Sequence, residues 1–227
     1  MEAAPADRAP LRLLGAALFA QAATSLVGGA VFFDPYVKPA DIAASMGRVA
    51  DNIGGVYAGV LLQLATAVVI IILGVLLYQA AGHINRTAAL IALSFYIFEA
   101  LLLSVSQIFV FALADVSRLY ALGPGGALES AGGTLLICHD FAARMAIIPF
   151  GLGAIIFYYL LLKAGIIPRW LALWGLITVP FVLIGVPLTA FGARVPFALF
   201  VPYVPFEFFA GIFIFIKGMA KGKAFEV

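Results

Sequence analysis

Six stretches of this chain, 11–33, 53–81, 87–114, 134–162, 170–191 and 196–216, stay predominantly apolar for about 20 residues or more, the length a helix needs to cross a hydrocarbon core about 30 Å thick. Polar or Gly/Pro-rich segments separate them. Barrel strands would instead alternate in polarity over about 10 residues. The chain is therefore expected to be all-α, a single domain forming a polytopic bundle of six transmembrane helices. Composition excludes other classes: hydrophobic residues make up 65% and charged residues 11%, against about 45–50% and about 25% in soluble domains. With 13 Lys and Arg against 11 Asp and Glu, a formal charge of +2 gives no basis for a nucleic-acid partner. The single cysteine, Cys138, cannot close an internal disulfide.

Near the N-terminus, Arg8, Arg12 and Ala20-Gln21-Ala22 resemble parts of a secretory signal. The apolar run continues to Phe33, past the about 7–15 residues of a signal core, and so reads as the first span. Six spans put both termini on one side. Arg8, Arg12, Arg86, Lys163, Arg169, Lys217, Lys221 and Lys223 share that side, against Lys38, Arg48, Arg118 and Arg194 opposite. Positively charged loops stay in the cytoplasm, so both termini are expected there. Trp170 and Trp174, at the start of the fifth span, suit the same interface.

The external connection 34–52 holds a helical pattern, with Asp41 as cap and Ile42, Met46, Val49 and Ile53 recurring on one face. It reads as a short helix lying on the membrane surface, either shielding a site from water or serving as a connector packed over the bundle. The connection containing Gly123-Pro124-Gly125-Gly126 and Gly132-Gly133 reads as flexible, a lid or slack chain. Pro149, Pro180, Pro187, Pro202 and Pro205 fall within spans. Pro149 would free the Met145 carbonyl and Pro205 that of Val201. Gly55 and Gly59 form a small-xxx-small pair suited to close helix approach.

Charges inside a span are costly and usually serve a purpose between helices. Four occur here: Glu99, Asp140, Arg144 and Glu207. Counted from the expected span ends at about 1.5 Å per residue, Glu99, Arg144 and Glu207 fall near mid-depth, with Gln21, Gln63 and Thr178 at a similar level. Asp140 and Arg144 are four apart and can pair on one helix face. An Arg guanidinium has five donors, so Arg144 could bridge Glu99 and Glu207 and leave one carboxyl to carry a proton. A carboxyl in that state can serve acid catalysis or proton transfer; the alternative is a structural hydrogen-bonded set. Glu99, Glu207, Arg144 and Asp140 are thus the candidate catalytic residues, and Gln21, Gln63, Tyr96, His139 and Thr178 the candidate substrate-binding ones.

No cofactor or metal is expected. His83 and His139 fall on opposite sides of the membrane and cannot clamp one haem, and no nucleotide loop, zinc motif or hydrolase elbow occurs.

Several segments carry a resemblance. Lys163-Ala164-Gly165-Ile166-Ile167-Pro168-Arg169-Trp170-Leu171 resembles the "sGflPrwLG" signature of the bacterial membrane family called domain of unknown function 4386. Glu207 followed by Ile216-Lys217-Gly218 is similar to its closing "E…vkG" helix, Phe95 to Ala100 to its "FRlvEA" segment, and Pro39-Ala40-Asp41 to its external loop start. Tyr96 stands where that family tends to have Arg. The resemblance implies a multi-pass protein of a bacterial inner membrane and marks Glu99, Glu207, Pro168 and Gly218, but brings no activity with it.

Three functions fit these residues. The leading one is an integral membrane protein that binds or acts on a lipid-like or isoprenoid-like molecule by acid/base chemistry, with the 20 phenylalanines shaping an apolar cavity. A proton-coupled transporter and a non-catalytic accessory or sensory subunit are the alternatives. Membrane lipids are the expected partners, and homo-oligomerisation is open.

Overall fold

The computed structural model describes residues 9–38, 40–123 and 125–219, and among them regular structure is entirely helical. The helices are α1 (Ala9–Ala30), α2 (Ile42–Asp51), α3 (Ile53–Ala81), α4 (Arg86–Leu122), α5 (Gly126–Lys163), α6 (Arg169–Ala190) and α7 (Tyr203–Met219), with 3-10 turns at Asp34–Tyr36 and Phe197–Leu199. All but α2 are long and apolar enough to cross a membrane, α7 being counted with the turn before it, which gives six spans. The expected all-α bundle is the one observed.

Spanning helices that follow one another in sequence pack side by side, and α7 returns against α1, so the bundle closes into a ring. Glycines allow that closure. A Cβ on Gly211 would lie 2.9 Å from the Phe19 backbone nitrogen, and one on Gly218 would lie 2.7 Å from that of Arg12. In the ring's centre Leu14, Leu77, Phe157, Leu161 and Ile214 are all at 0% exposure.

The signature segment between α5 and α6 is a glycine-terminated helix end. Gly165 adopts φ +64°, the left-handed geometry that glycine takes at no steric cost. Its N–H donates to the Leu162 carbonyl at 3.1 Å and that of Ile166 to Leu161 at 2.9 Å, a Schellman closure. Pro168 then precedes the first residue of α6. Lys217 of α7 donates through Nζ to the Gly165 carbonyl, so the two ends of the sequence resemblance meet in space.

One expectation for the α2 end is corrected. The connection read as flexible is mostly helix: α4 runs to Leu122 and α5 starts at Gly126, leaving a short turn in which Pro124 lies outside the described residues. At 37 and 38 residues these helices are about 55–57 Å long and overhang a core of about 30 Å. The α2 helix buries its apolar face against that overhang, the connector packed over the bundle that was one of its two expected roles. Met46 packs with Leu113 and Leu136, and Val49 with Val110 and Ala114. Gly132 is where α2 comes closest, since a Cβ there would lie 2.6 Å from Met46 Sδ. Asp41 caps α2 by accepting from the Ala44 N–H at 3.0 Å.

The prolines divide into two kinds. Pro149, Pro180 and Pro187 lie within helices, as expected. Pro205 is in the first turn of α7, where a missing N–H breaks no helical hydrogen bond, so it frees no carbonyl. Gly59 meets α1 near Gly28, whose carbonyl oxygen would be 3.3 Å from its Cβ.

The end of the bundle with the α3–α4 and α5–α6 turns carries Arg12, Arg86, Lys163, Arg169 and Lys217, with no Asp or Glu among the described residues there. The α2 end mixes both signs. Arg8, Lys221, Lys223 and Pro39 lie outside the described residues.

Candidate functional site

Glu99 stands in the fourth turn of α4, 8% exposed, and its Oε2 is buried without a hydrogen-bond partner among the described residues. Glu207 stands in the second turn of α7. Its Oε1 accepts from Gln21 Nε2 of α1 at 2.9 Å and from the Tyr203 hydroxyl, one turn earlier on α7, at 2.8 Å. The Tyr158 hydroxyl of α5 is 2.9 Å from that of Tyr203. Because Tyr203 donates to the carboxylate, Tyr158 is left to donate to Tyr203, and four side chains from three helices form one chain.

Glu99 and Glu207 line a single void together with Gln21, Tyr96 and Tyr158, closed by Leu18, Ile70, Leu73 and Phe150. The volume open to the centre of a water-sized sphere is about 10 Å³, room for about one water molecule. No Lys, Arg or His lines it.

Packing sets this arrangement. The glycine contact between α1 and α7 brings Gln21 against Glu207. Gly175 of α6 leaves room for two rings, since a Cβ there would lie 2.9 Å from Tyr158 Cδ2 and would overlap Phe206. Tyr158 and Phe206 meet edge to face at 4.8 Å. Tyr96, 4% exposed, fits between Gly74 and Gly153 and stands edge to face with Phe157.

Of the candidate residues read from the sequence, Glu99, Glu207, Gln21 and Tyr96 come together. The rest do not. Arg144 does not bridge the glutamates: its guanidinium pairs with Asp140 at 3.4 Å, and the two side chains are 38% and 37% exposed. The cause is depth. Counted from the shared basic end at about 1.5 Å per residue, Glu207 lies about 15 Å in from Lys217, Glu99 about 20 Å in from Arg86, and Arg144 about 29 Å in from Lys163. The overhang of α5 had displaced the count that put Arg144 at mid-depth. His139 holds its Nδ1 3.1 Å from the Ser106 carbonyl and packs edge to face on Phe33. Thr178 donates to the Trp174 carbonyl of its own helix at 2.8 Å, which satisfies the hydroxyl locally. Gln63 donates to the Ser25 carbonyl at 3.3 Å, between α1 and α3.

Tyr158 and Tyr203 join the site without having been among the candidates, which included Tyr96 alone of the tyrosines. Tyr203 had a usable signal, its i,i+4 spacing to Glu207. Tyr158 had none, because its partner is 45 residues away.

Residues 13–218 match the family described as Domain of unknown function (DUF4386), which covers every spanning helix. The chain belongs to that family. No curated protein and no solved structure matches it. Within this DUF4386 chain, the segments that carried the resemblance form the α5–α6 turn, its tie to α7, and the two helices that supply Glu99 and Glu207.

Proposed function

We propose that this chain is a proton-coupled membrane protein handling a small lipophilic molecule, with Glu99 and Glu207 as the proton-carrying groups. One observation carries the reading: two carboxyls from different helices line a void with room for about one water, no cationic side chain lines it, and one buried carboxyl oxygen is unpartnered. Two bare negative charges there would face a desolvation cost with nothing to offset it, so charge balance comes from protons. Membranes use buried carboxyls of this kind in proton relays.

A lipophilic partner is supported by the groove between α4 and α5, about 440 Å³, lined only by apolar residues and Cys138, among them Phe98, Phe109, Phe141 and Met145. That volume suits a small-molecule ligand. Phe98 on its wall adjoins Glu99 in the chain, so a molecule in the groove and a proton on Glu99 would act on the same turn of α4. Acid/base chemistry on the molecule itself ranks second, because the void admits no group much larger than a water. Residence in a bacterial inner membrane, with lipids as partners, belongs to the same proposal.

The test follows the infrared carbonyl band of protonated carboxyl groups in the purified protein as pH is varied. Glu99→Gln and Glu207→Gln keep size and hydrogen bonding while removing titration. Each is expected to remove part of the titrating band with the fold retained. A band unchanged in both variants would overturn the reading, and unfolding of both would make the carboxyls structural.

A further inference from the structure

The seam between α1 and α3 is unlike at its two ends. Between the void and the basic end, the surrounding helices meet through Leu14, Leu77, Phe157, Leu161 and Ile214, each fully buried. Toward the α2 end the same seam is polar. Next along α1 from Gln21 is Thr24, which donates to the Ala20 carbonyl of its own helix at 2.8 Å and accepts from the Thr66 hydroxyl of α3 at 2.7 Å. Thr66 is 1% exposed, so this hydroxyl pair belongs to the interior. One turn further, Gln63 donates to the Ser25 carbonyl, while its Oε1 is buried without a partner among the described residues.

The outer part of the seam is polar as well. A Cβ on Gly29 would find Gln63 Nε2 at 3.8 Å and Asp34 Oδ2 at 3.9 Å, so the amide and the carboxylate flank the same stretch of α1. Asp34 is in the 3-10 turn just beyond α1. Asp34, Gln63, the Thr66–Thr24 pair and Gln21 therefore form a polar line ending on Glu207. It spans about 20 Å along α1. Among the described residues, no equivalent line leaves the void in the other direction.

Polar groups inside a membrane mark the routes of ions and protons, and an apolar plug blocks them. We infer that the Glu99–Glu207 site exchanges protons with the α2 side of the membrane through the α1–α3 seam, whose narrow point is the Thr24–Thr66 hydroxyl pair. This rests on the proton-carrying reading above and adds the route and its sidedness. The titratable groups facing Glu99 and Glu207 are Tyr96 from α4, Tyr158 from α5 and Tyr203 from α7; α1 and α3 supply only the Gln21 amide and apolar side chains there. At the far end of the seam stand Asp34 and His139.

The full chain is followed by the same carbonyl band, now resolved in time after a pH jump. Thr24→Val with Thr66→Val keeps side-chain shape and removes both hydroxyls. Its band is expected to reach the wild-type end point about tenfold more slowly, as an interrupted relay adds a barrier, while Thr178→Val, off the seam, leaves the rate unchanged. An unchanged rate in the double variant, or equal slowing in Thr178→Val, would overturn the route and leave the carboxyl site standing. A wild-type band that does not titrate would overturn both. A second measurement needs no substitution: in oriented vesicles a pH step on the α2 side should move the band before one on the basic side. The opposite order, or simultaneous responses, would reject the sidedness.

Discussion

Two sets of charged side chains in the spanning helices, Asp140 with Arg144 and Glu99 with Glu207, are built on opposite plans. Asp140 and Arg144 sit one turn apart on α5, pair with each other, and keep more than a third of each side chain exposed. Glu99 and Glu207 come from α4 and α7, have no cation between them, and share a void closed by apolar side chains. The first pair is local and self-sufficient, a product of i,i+4 spacing. The second exists only because six helices close into a ring. A charged pair near the membrane boundary can use water and headgroups, and such pairs contribute little to stability. Carboxyls at mid-depth must be satisfied by the protein itself, and here Gln21 and Tyr203 satisfy only Glu207. On the function proposed above, this contrast divides a site that changes its proton count from a pair that merely balances charge.

The sharpest way to break this contrast is Glu207→Leu. It strips the acceptor from both Gln21 and Tyr203, and each buried donor left unpaired costs about 1–3 kcal/mol, so a loss of about 2–6 kcal/mol is expected in denaturant unfolding of the detergent-solubilised protein. A change below about 0.5 kcal/mol, the scale of ordinary surface substitutions, would show that the network does not hold the bundle. Gly175→Val comes next. Its added atoms meet the Tyr158 and Phe206 rings, an overpacking cost of about 1–3 kcal/mol that should lower the melting temperature. If the melting temperature stayed put, the rings would be looser than their contacts indicate.

Tyr158→Phe keeps the ring and deletes one hydroxyl from the end of the chain, with an expected loss of about 0.5–1.5 kcal/mol. The smallest effect belongs to the outer pair. Asp140→Asn and Arg144→Gln should each cost about 0–1 kcal/mol in the same unfolding assay. Were either to match Glu207→Leu, the two sets of charges would be equally embedded and the contrast would fail.

How far the chain could be read without coordinates depends on the range of the forces involved. The spans were legible because a bilayer demands long apolar runs, a property of local sequence. The α2 cap and the Asp140–Arg144 pair were legible for the same reason, since each is settled within a few residues. Glu99 and Glu207 could be singled out individually because charge in hydrocarbon is costly anywhere it occurs.

What joined them could not be read. Sequence determined that both glutamates must be buried between helices, but only the close glycine approach of α1 to α7 put Gln21 on Glu207, and only the overhang of α4 and α5 removed Arg144 from their level. Apolar periodicity does not say where lipid ends along a helix longer than the membrane, and so the depth of Arg144 was misjudged. Nor does it say which helix lies opposite which. The tyrosine chain, the one-water void and the polar seam between α1 and α3 depend on contacts between residues far apart in the chain, and those were decided when the ring closed and side-chain shapes selected which faces could meet.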